Sequence, residues 1–98
     1  MANESSLSPD ISAEAQMNTL RFAFITTQAM AVAARLGLAD LVAAAPQTVE
    51  ELARKTRTHA PSLRRLLQFL ASLAIFEEDA AGKYRQTALS ETLRKDAP

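Results

Sequence analysis

Hydrophobic and polar positions change their spacing along the chain, and the first change marks a long helix. The opening nine residues, MANESSLSP, are polar without a period and predict a flexible tail over 1–9. Asp10 or Ser12 can then cap a helix that meets no glycine or proline before Gly37, a residue type that commonly ends helices. The first half of this helix alternates polar and apolar faces, whereas the stretch 22–34 is apolar on almost every side.

Three further segments have helical spacing. LADLVAAA predicts a short helix that Pro46 ends. Thr48 opens TVEELARKT and Glu51 follows three residues later, which is the pattern of a capping box. PSLRRLLQFLASL predicts the clearest helix, because its leucines recur at i, i+3, i+4 and i+7 while Arg64, Arg65 and Gln68 fall opposite them.

After this helix, hydrophobic and polar residues alternate with a period of two. IFEED and KYRQT read as short strands joined by the turn DAAG, which predicts a β-hairpin, and Thr87 can cap a last helix, ALSETLRK. Helix, helix, turn, helix, hairpin, helix is the order of a winged helix-turn-helix. We therefore predict a mainly α fold over residues 10–98, with a long N-terminal helix and one small hairpin.

The long helix predicts self-association, because a helix that is apolar on every side must be buried on every side. The remaining short elements can cover one face of it, and each large side chain left in water would forgo about 1.5–3 kcal/mol. We predict a two-fold homodimer with this interface: Leu20, Phe22, Phe24, Ile25, Met30 and Val32. The alternative is a bent helix that folds back within its own domain.

Composition excludes several kinds of chemistry. The 98 residues can close one hydrophobic core, 11 Lys and Arg balance 11 Asp and Glu, cysteine is absent, and His59 is the single histidine. Two glycines far apart in sequence cannot build a phosphate or adenosyl loop. We assign no catalytic, metal-binding or cofactor-binding residue to this chain, which on its own is not expected to be an enzyme. The longest uncharged stretch has 13 residues and no secretory signal is visible, so we expect a cytoplasmic protein without a membrane span.

A DNA-binding transcriptional regulator is the alternative function. Five basic residues lie between positions 54 and 65 without an acidic one, and Arg64, Arg65 and Gln68 fall on the exposed face of the candidate recognition helix. The hairpin, however, begins with the acidic run 77–79, which Lys83 and Arg85 can pair with, and a net charge of zero provides little attraction for phosphates. Nucleic acid is therefore the less expected partner.

Four runs in this order, LGLADLVAA, TVEELARKT, HAPSLRRLLQFLASLAIFEED and GKYRQTALSETLR, resemble the N-terminal region of S-adenosylmethionine-dependent small-molecule O-methyltransferases of plant and bacterial secondary metabolism. The resemblance covers about residues 20–98. It implies a dimerisation domain whose long helices interlock with those of a partner subunit and which helps to roof the acceptor cavity. It also implies a separate C-terminal α/β catalytic domain that binds S-adenosylmethionine, with a small aromatic or polyketide-like hydroxyl compound as acceptor.

The resemblance adds residue-level expectations. Met17, Phe24, Gln28 and Met30 are the residues that we expect to contribute to the substrate cavity, since Met and Phe suit a surface over an aromatic acceptor. Arg57 stands where the family often has glycine, and Ala74 replaces the glycine of the family's helix stop. A left-handed conformation at Arg57 would cost about 1 kcal/mol relative to glycine, and the Ala74 helix is expected to end with a different cap.

Overall fold

Helices and three short strands make up the described chain. The computed structural model describes the backbone of residues 9–95 and the side chains of residues 13–95. In chain order the elements are helix α1 (Pro9–Leu36), helix α2 (Leu38–Ala44), strand β1 (Gln47–Thr48), helix α3 (Val49–Thr56), helix α4 (Ala60–Ser72), strand β2 (Glu77–Glu78), strand β3 (Lys83–Arg85) and helix α5 (Ala88–Glu91). The predicted mainly α fold with a small hairpin is confirmed.

Both ends of the described chain differ from the prediction. Helix α1 begins at Pro9, so Asp10 and Ser12 lie inside the helix and not at its cap; proline suits a first helical position because its missing N–H would be unpaired there. The predicted tail lies, apart from Pro9, outside the described residues.

The predicted last helix is shorter than expected. It stops at Glu91, and tighter i to i+3 hydrogen bonds follow. The reason is Asp40 on α2, whose carboxylate oxygens accept hydrogen bonds from the Arg94 side chain at 3.4 Å and from the backbone N–H of Lys95 at 3.3 Å. These contacts draw residues 94–95 towards α2 and away from the helical path.

The hairpin is part of a three-stranded antiparallel sheet of order β1-β3-β2. In register, Gln47 pairs with Tyr84 on one side of the central strand and Glu78 pairs with Tyr84 on the other. Tyr84 is fully buried and its hydroxyl donates to Glu78 Oε1 at 3.2 Å; burial, followed by the Glu78 charge, raises the pKa of this phenol. The pairing through β1 was not predicted.

The core lies between α2, α3, α4 and the sheet. Its largest fully buried side chains are Tyr84, Phe76, Leu38, Leu52, Leu67 and Leu70. Helix α1 packs against α2 and α4, and among its side chains from residue 13 onward only Ala29 and Ala33 are buried. Small side chains at these two positions let the helix approach the rest of the domain closely. This contact covers only one face of α1.

The start of α3 is fixed by hydrogen bonds that the sequence predicts. Thr48 Oγ1 accepts from the Glu51 N–H at 3.1 Å, while Glu51 Oε1 accepts from the Thr48 N–H at 2.8 Å, which completes the capping box. Just before it, the buried Gln47 donates to the Leu41 carbonyl and accepts from Lys55 Nζ at 2.6 Å. The cap and this amide together hold α2, β1 and α3 in place.

Two helices end on left-handed residues that are not glycine. Arg57 has φ 58° and Ala74 has φ 64°. After α3, the Thr58 N–H donates to the Ala53 carbonyl at 3.0 Å, and after α4, the Ile75 N–H donates to the Leu70 carbonyl at 2.9 Å. Both patterns are Schellman caps. The expectation of a different cap at Ala74 is therefore wrong: the left-handed cap is kept and alanine adopts it.

Replacing these residues with glycine is expected to stabilise the fold. Arg57→Gly and Ala74→Gly should each raise the free energy of unfolding by about 1 kcal/mol, because glycine removes the steric cost of the left-handed conformation. Arg57→Ala is the matched control and should give no such gain, since alanine keeps the Cβ clash. Urea denaturation at one fixed protein concentration measures the three differences; equal stability of the Gly and Ala variants at 57 would contradict the account.

Acid should weaken the capping box. The backbone N–H of Thr48 donates to the Glu51 carboxylate and lowers its pKa below the ordinary 4.5. A lowered folded-state pKa adds stability that is present above the unfolded value and is lost as the pH falls through the folded value. The free energy of unfolding should therefore decrease below about pH 4.5, with a smaller decrease in Glu51→Gln. Glu77→Gln, in β2, controls for the loss of one charge and should keep the wild-type slope.

Candidate dimer interface

The N-terminal half of α1 extends beyond the rest of the fold. Every side chain from residue 13 to residue 25 is exposed, and the first buried residue of the described helix is Ala29. A helix of 28 residues is about 42 Å long, and the chain measures 54 × 31 × 25 Å. Because α1 runs unbroken from Pro9 to Leu36, the alternative of a bent helix folded back over its own domain is wrong.

The exposed half carries large apolar side chains on the side opposite to Ala29 and the core. Met17, Leu20, Phe24 and Gln28 follow one another at intervals of three or four residues and form a stripe, named here the α1 seam. Met17, Leu20 and Phe24 are 48%, 63% and 64% exposed. Each forgoes about 1.5–3 kcal/mol of burial in water, so the seam is a surface that gains from being covered by another molecule.

Four of the six predicted interface residues are exposed in this chain. Leu20 and Phe24 belong to the α1 seam; Phe22 and Ile25, at 50% and 53% exposure, lie outside it, Phe22 on the side of the helix that carries Ala29 and Ala33. Phe22 also reaches its own domain, where its ring meets Phe69 edge-on at 6.0 Å between centroids. All four side chains are available to a partner, and their assignment to an interface stays a prediction.

The other predicted site residues divide between two environments. Met30 is partly buried against the chain's own core, and Val32 is partly buried where α1 approaches α4. Of the four predicted cavity residues, Met17, Phe24 and Gln28 share the exposed seam, whereas Met30 points to a different side of the helix. The structure therefore brings three of those four together and leaves Met30 apart.

A cleft of about 230 Å³ opens between the C-terminal half of α1 and the start of α4. Its walls are apolar and its mouth is polar; we name it the α1–α4 cleft, and the residues that line it are Val32, Leu36, Thr58, His59, Ser62, Leu63 and Leu66. Sequence reasoning missed it, because its two walls are far apart along the chain. The only sequence signal is the apolar residues that α1 and α4 each carry beyond what one core can bury.

His59 lies at the mouth of the cleft. It occupies the N-cap position of α4 without a capping hydrogen bond from its side chain, and its Nδ1 lies 3.0 Å from Ser62 Oγ. Within the side chains that the structure describes, no group of three or more His, Cys, Asp or Glu residues is arranged to hold a metal ion.

The candidate recognition helix has its basic groups partly engaged. Arg64 forms an ion pair of 2.7 Å with Glu50 on α3, and Arg65 donates to Ser62 Oγ at 3.4 Å. Both groups lie at the surface, where an ion pair contributes little to stability. They are nevertheless directed to neighbouring side chains, which weakens the case for base or phosphate recognition.

The hairpin is acidic at the turn that would face a phosphate backbone. Asp79 Oδ1 accepts from the backbone N–H groups of Ala81 and Lys83, both at 2.9 Å, and the Lys83 hydrogen bond is the main reason that the pKa of Asp79 is lowered. The predicted pairing of Arg85 with this acidic run is confirmed at 3.9 Å to Asp79.

Within residues 9–95, no individual helix is both long enough and apolar enough to cross a membrane. Only α1 and α2 taken together, bent by 57° at their junction, reach the required length and composition.

Comparisons with known proteins agree with the resemblance stated above. Residues 18–96 match the family model "O-methyltransferase dimerisation domain". The phenazine O-methyltransferase PhzM of Lysobacter antibioticus is 49% identical over 72 residues, which cover 74% of this chain and 21% of that protein. O-methyltransferase SfmM3 of Streptomyces lavendulae is 39% identical over 82 residues, which cover 84% of this chain and 25% of that protein.

A solved structure has the same fold. The O-methyltransferase NcsB1 from neocarzinostatin biosynthesis, crystallised with S-adenosyl-L-homocysteine, superposes with a TM-score of 0.69 at 42% identity, covering 72% of this chain and 23% of that one. The chain thus spans about a fifth to a quarter of the length of the relatives that it matches. With the family model covering most of its residues, the chain belongs to the O-methyltransferase dimerisation domain family.

Proposed function

We propose that this chain forms a two-fold homodimer through the exposed N-terminal half of α1. The observation that carries the proposal is the α1 seam, where Met17, Leu20 and Phe24 are 48–64% exposed on the side of the helix opposite to its buried residues Ala29 and Ala33. A second copy covers this surface without any additional component, and two-fold symmetry buries both seams at once. The membership in a family of dimerisation domains supports the same conclusion.

We further propose that the protein to which this chain belongs is an S-adenosylmethionine-dependent O-methyltransferase with a C-terminal catalytic domain that binds the methyl donor. The phenazine and naphthoate enzymes among its relatives support a small aromatic hydroxyl compound as acceptor. We assign no described residue of this chain to methyl transfer itself, and its principal part is to assemble the dimer. The cytoplasmic location stays a prediction.

A contribution of this chain to the acceptor cavity is a further part of the proposal. Met17, Phe24 and Gln28 lie together on an exposed face and can contact either a ligand or a partner. Met30 has the weaker support of the four, because it packs against the core of its own chain. The DNA-binding alternative has less support, given the ion pair of Arg64 and the acidic hairpin turn.

The dimer is tested with one charge placed on the seam. Phe24→Asp should raise the dissociation constant of the dimer at least about a hundredfold, since two phenyl rings lose their burial and two carboxylates would have to be desolvated. Leu89→Asp is the matched control: Leu89 is 51% exposed on α5 and belongs neither to the α1 seam nor to the α1–α4 cleft, so the change should leave the dimer intact. Sedimentation equilibrium measures both, with circular dichroism as the check on folding. A Phe24→Asp variant that dimerises as tightly as the wild type would contradict the proposed interface.

The activity is tested on the protein that contains this chain and its downstream region. With S-adenosylmethionine and a hydroxylated phenazine or naphthoate, it should release S-adenosylhomocysteine only when the acceptor is present. The 98-residue chain alone should show no heat of S-adenosylmethionine binding in calorimetry. Tight donor binding by the short chain, or its sequence-selective retention of DNA at nanomolar concentration, would contradict the proposal.

A further inference from the structure

We infer that the α1–α4 cleft of each protomer receives Phe24 of its partner, so that seam and cleft cover one another twice in a single two-fold dimer. The inference rests on the proposed homodimer and goes beyond it, because it names the receiving surface and the register. It assigns Phe24 and Gln28 to the interface, so that Met17 is the seam residue left to contribute to the acceptor cavity. A helix seam alone could pair with many surfaces. The cleft restricts the choice by its size, its chemistry and its position on α1.

The cleft suits one large apolar side chain. Val32 and Leu36 form one wall on α1, and Leu63 and Leu66 form the other on α4. Its volume of about 230 Å³ is open to solvent on one side, while Thr58, His59 and Ser62 at the mouth can remain hydrated when an apolar group enters. A buried apolar anchor within a polar rim is the usual arrangement at the centre of a protein interface.

The cleft and the seam are complementary in spacing. Leu20 and Phe24 are four residues apart, and Val32 and Leu36 are four residues apart on the same helix. If two α1 helices lie antiparallel, Phe24 can face the partner's Val32 while Leu20 faces the partner's Leu36. Gln28 is midway between both pairs, so this register puts Gln28 at the two-fold axis, next to the partner's Gln28.

A second copy of this chain is the occupant for two reasons. Phe24 is, at 64%, the most exposed of the large apolar side chains that the structure describes, and it lies on the side of α1 that faces away from Ala29 and Ala33. The exchange also buries both apolar surfaces, because each seam enters the partner's cleft and each cleft is filled by the partner's seam. Because this contact has two-fold symmetry, two subunits satisfy it completely and it does not extend into a larger assembly.

Because the chain contains no cysteine, single introduced cysteines can report which residues of the two α1 helices lie side by side in the dimer. A disulfide forms only where two Cα atoms lie within about 7 Å, so Gln28→Cys should give a covalent dimer rapidly under mild oxidation. Arg35→Cys, exposed on the same helix but away from the proposed axis, is the control and should react much more slowly. Equal rates for the two variants would overturn the register.

The seam-to-cleft contact is tested by mixing two differently tagged single-cysteine chains. Phe24→Cys mixed with Leu66→Cys should give the cross-linked heterodimer, because Leu66 lines the cleft. Phe24→Cys mixed with Gln68→Cys is the control, since Gln68 is exposed on α4 but does not line the cleft. A Gln68 yield equal to or greater than the Leu66 yield contradicts the inference.

Filling the cleft gives an independent measurement. Ser62→Trp puts an indole at the cleft mouth and should weaken the dimer at least tenfold in sedimentation equilibrium, whereas Ser72→Trp, an exposed serine at the other end of α4, should not. A dimer indifferent to Ser62→Trp, with neither cross-link formed, overturns this inference and leaves the proposed dimer standing. A wild-type chain that is monomeric overturns both.

Discussion

The burial of α1 is the constraint on which the rest of this molecule depends. A single domain of this size has enough partners for one face of a long helix, and it uses Ala29 and Ala33 to seat that face closely on α2 and α4. The opposite face keeps Met17, Leu20 and Phe24 in water. Each such side chain is worth about 1.5–3 kcal/mol when buried, which is large beside the net stability of a small domain. The hydrophobic core of the domain is therefore closed, whereas the apolar face of α1 opposite to it remains exposed to water.

The remaining elements hold the anchored half of α1 and the start of α4 in a fixed relation. The capping box of Thr48 and Glu51 and the buried amide of Gln47 tie α2, β1 and α3 together. Left-handed caps at Arg57 and Ala74 turn the chain at both ends of α4. A cleft between α1 and α4 can act as a receiving surface only if its walls keep their spacing, and these local interactions supply that rigidity.

How much of this could be predicted depends on whether the cause is local. The capping box, the leucine-rich α4 and the stop at Gly37 follow from residues within a few positions of one another, and each was predicted correctly. Strand β1 was missed because two residues carry no period, and α5 was predicted too long because its limit is Asp40, more than fifty residues away. The exposed seam could be anticipated from α1 alone, whereas the α1–α4 cleft needs the packing of two distant helices.

The mass of the unmodified chain in solution is the most direct test of the central claim. Sedimentation equilibrium over a range of micromolar concentrations should give twice the chain mass of 10.6 kDa, with dissociation only on dilution, because one partner covers the seam and closes the assembly. A folded chain that sediments as a 10.6 kDa species at every concentration would mean that the N-terminal half of α1 is stable in water, and the account would be wrong.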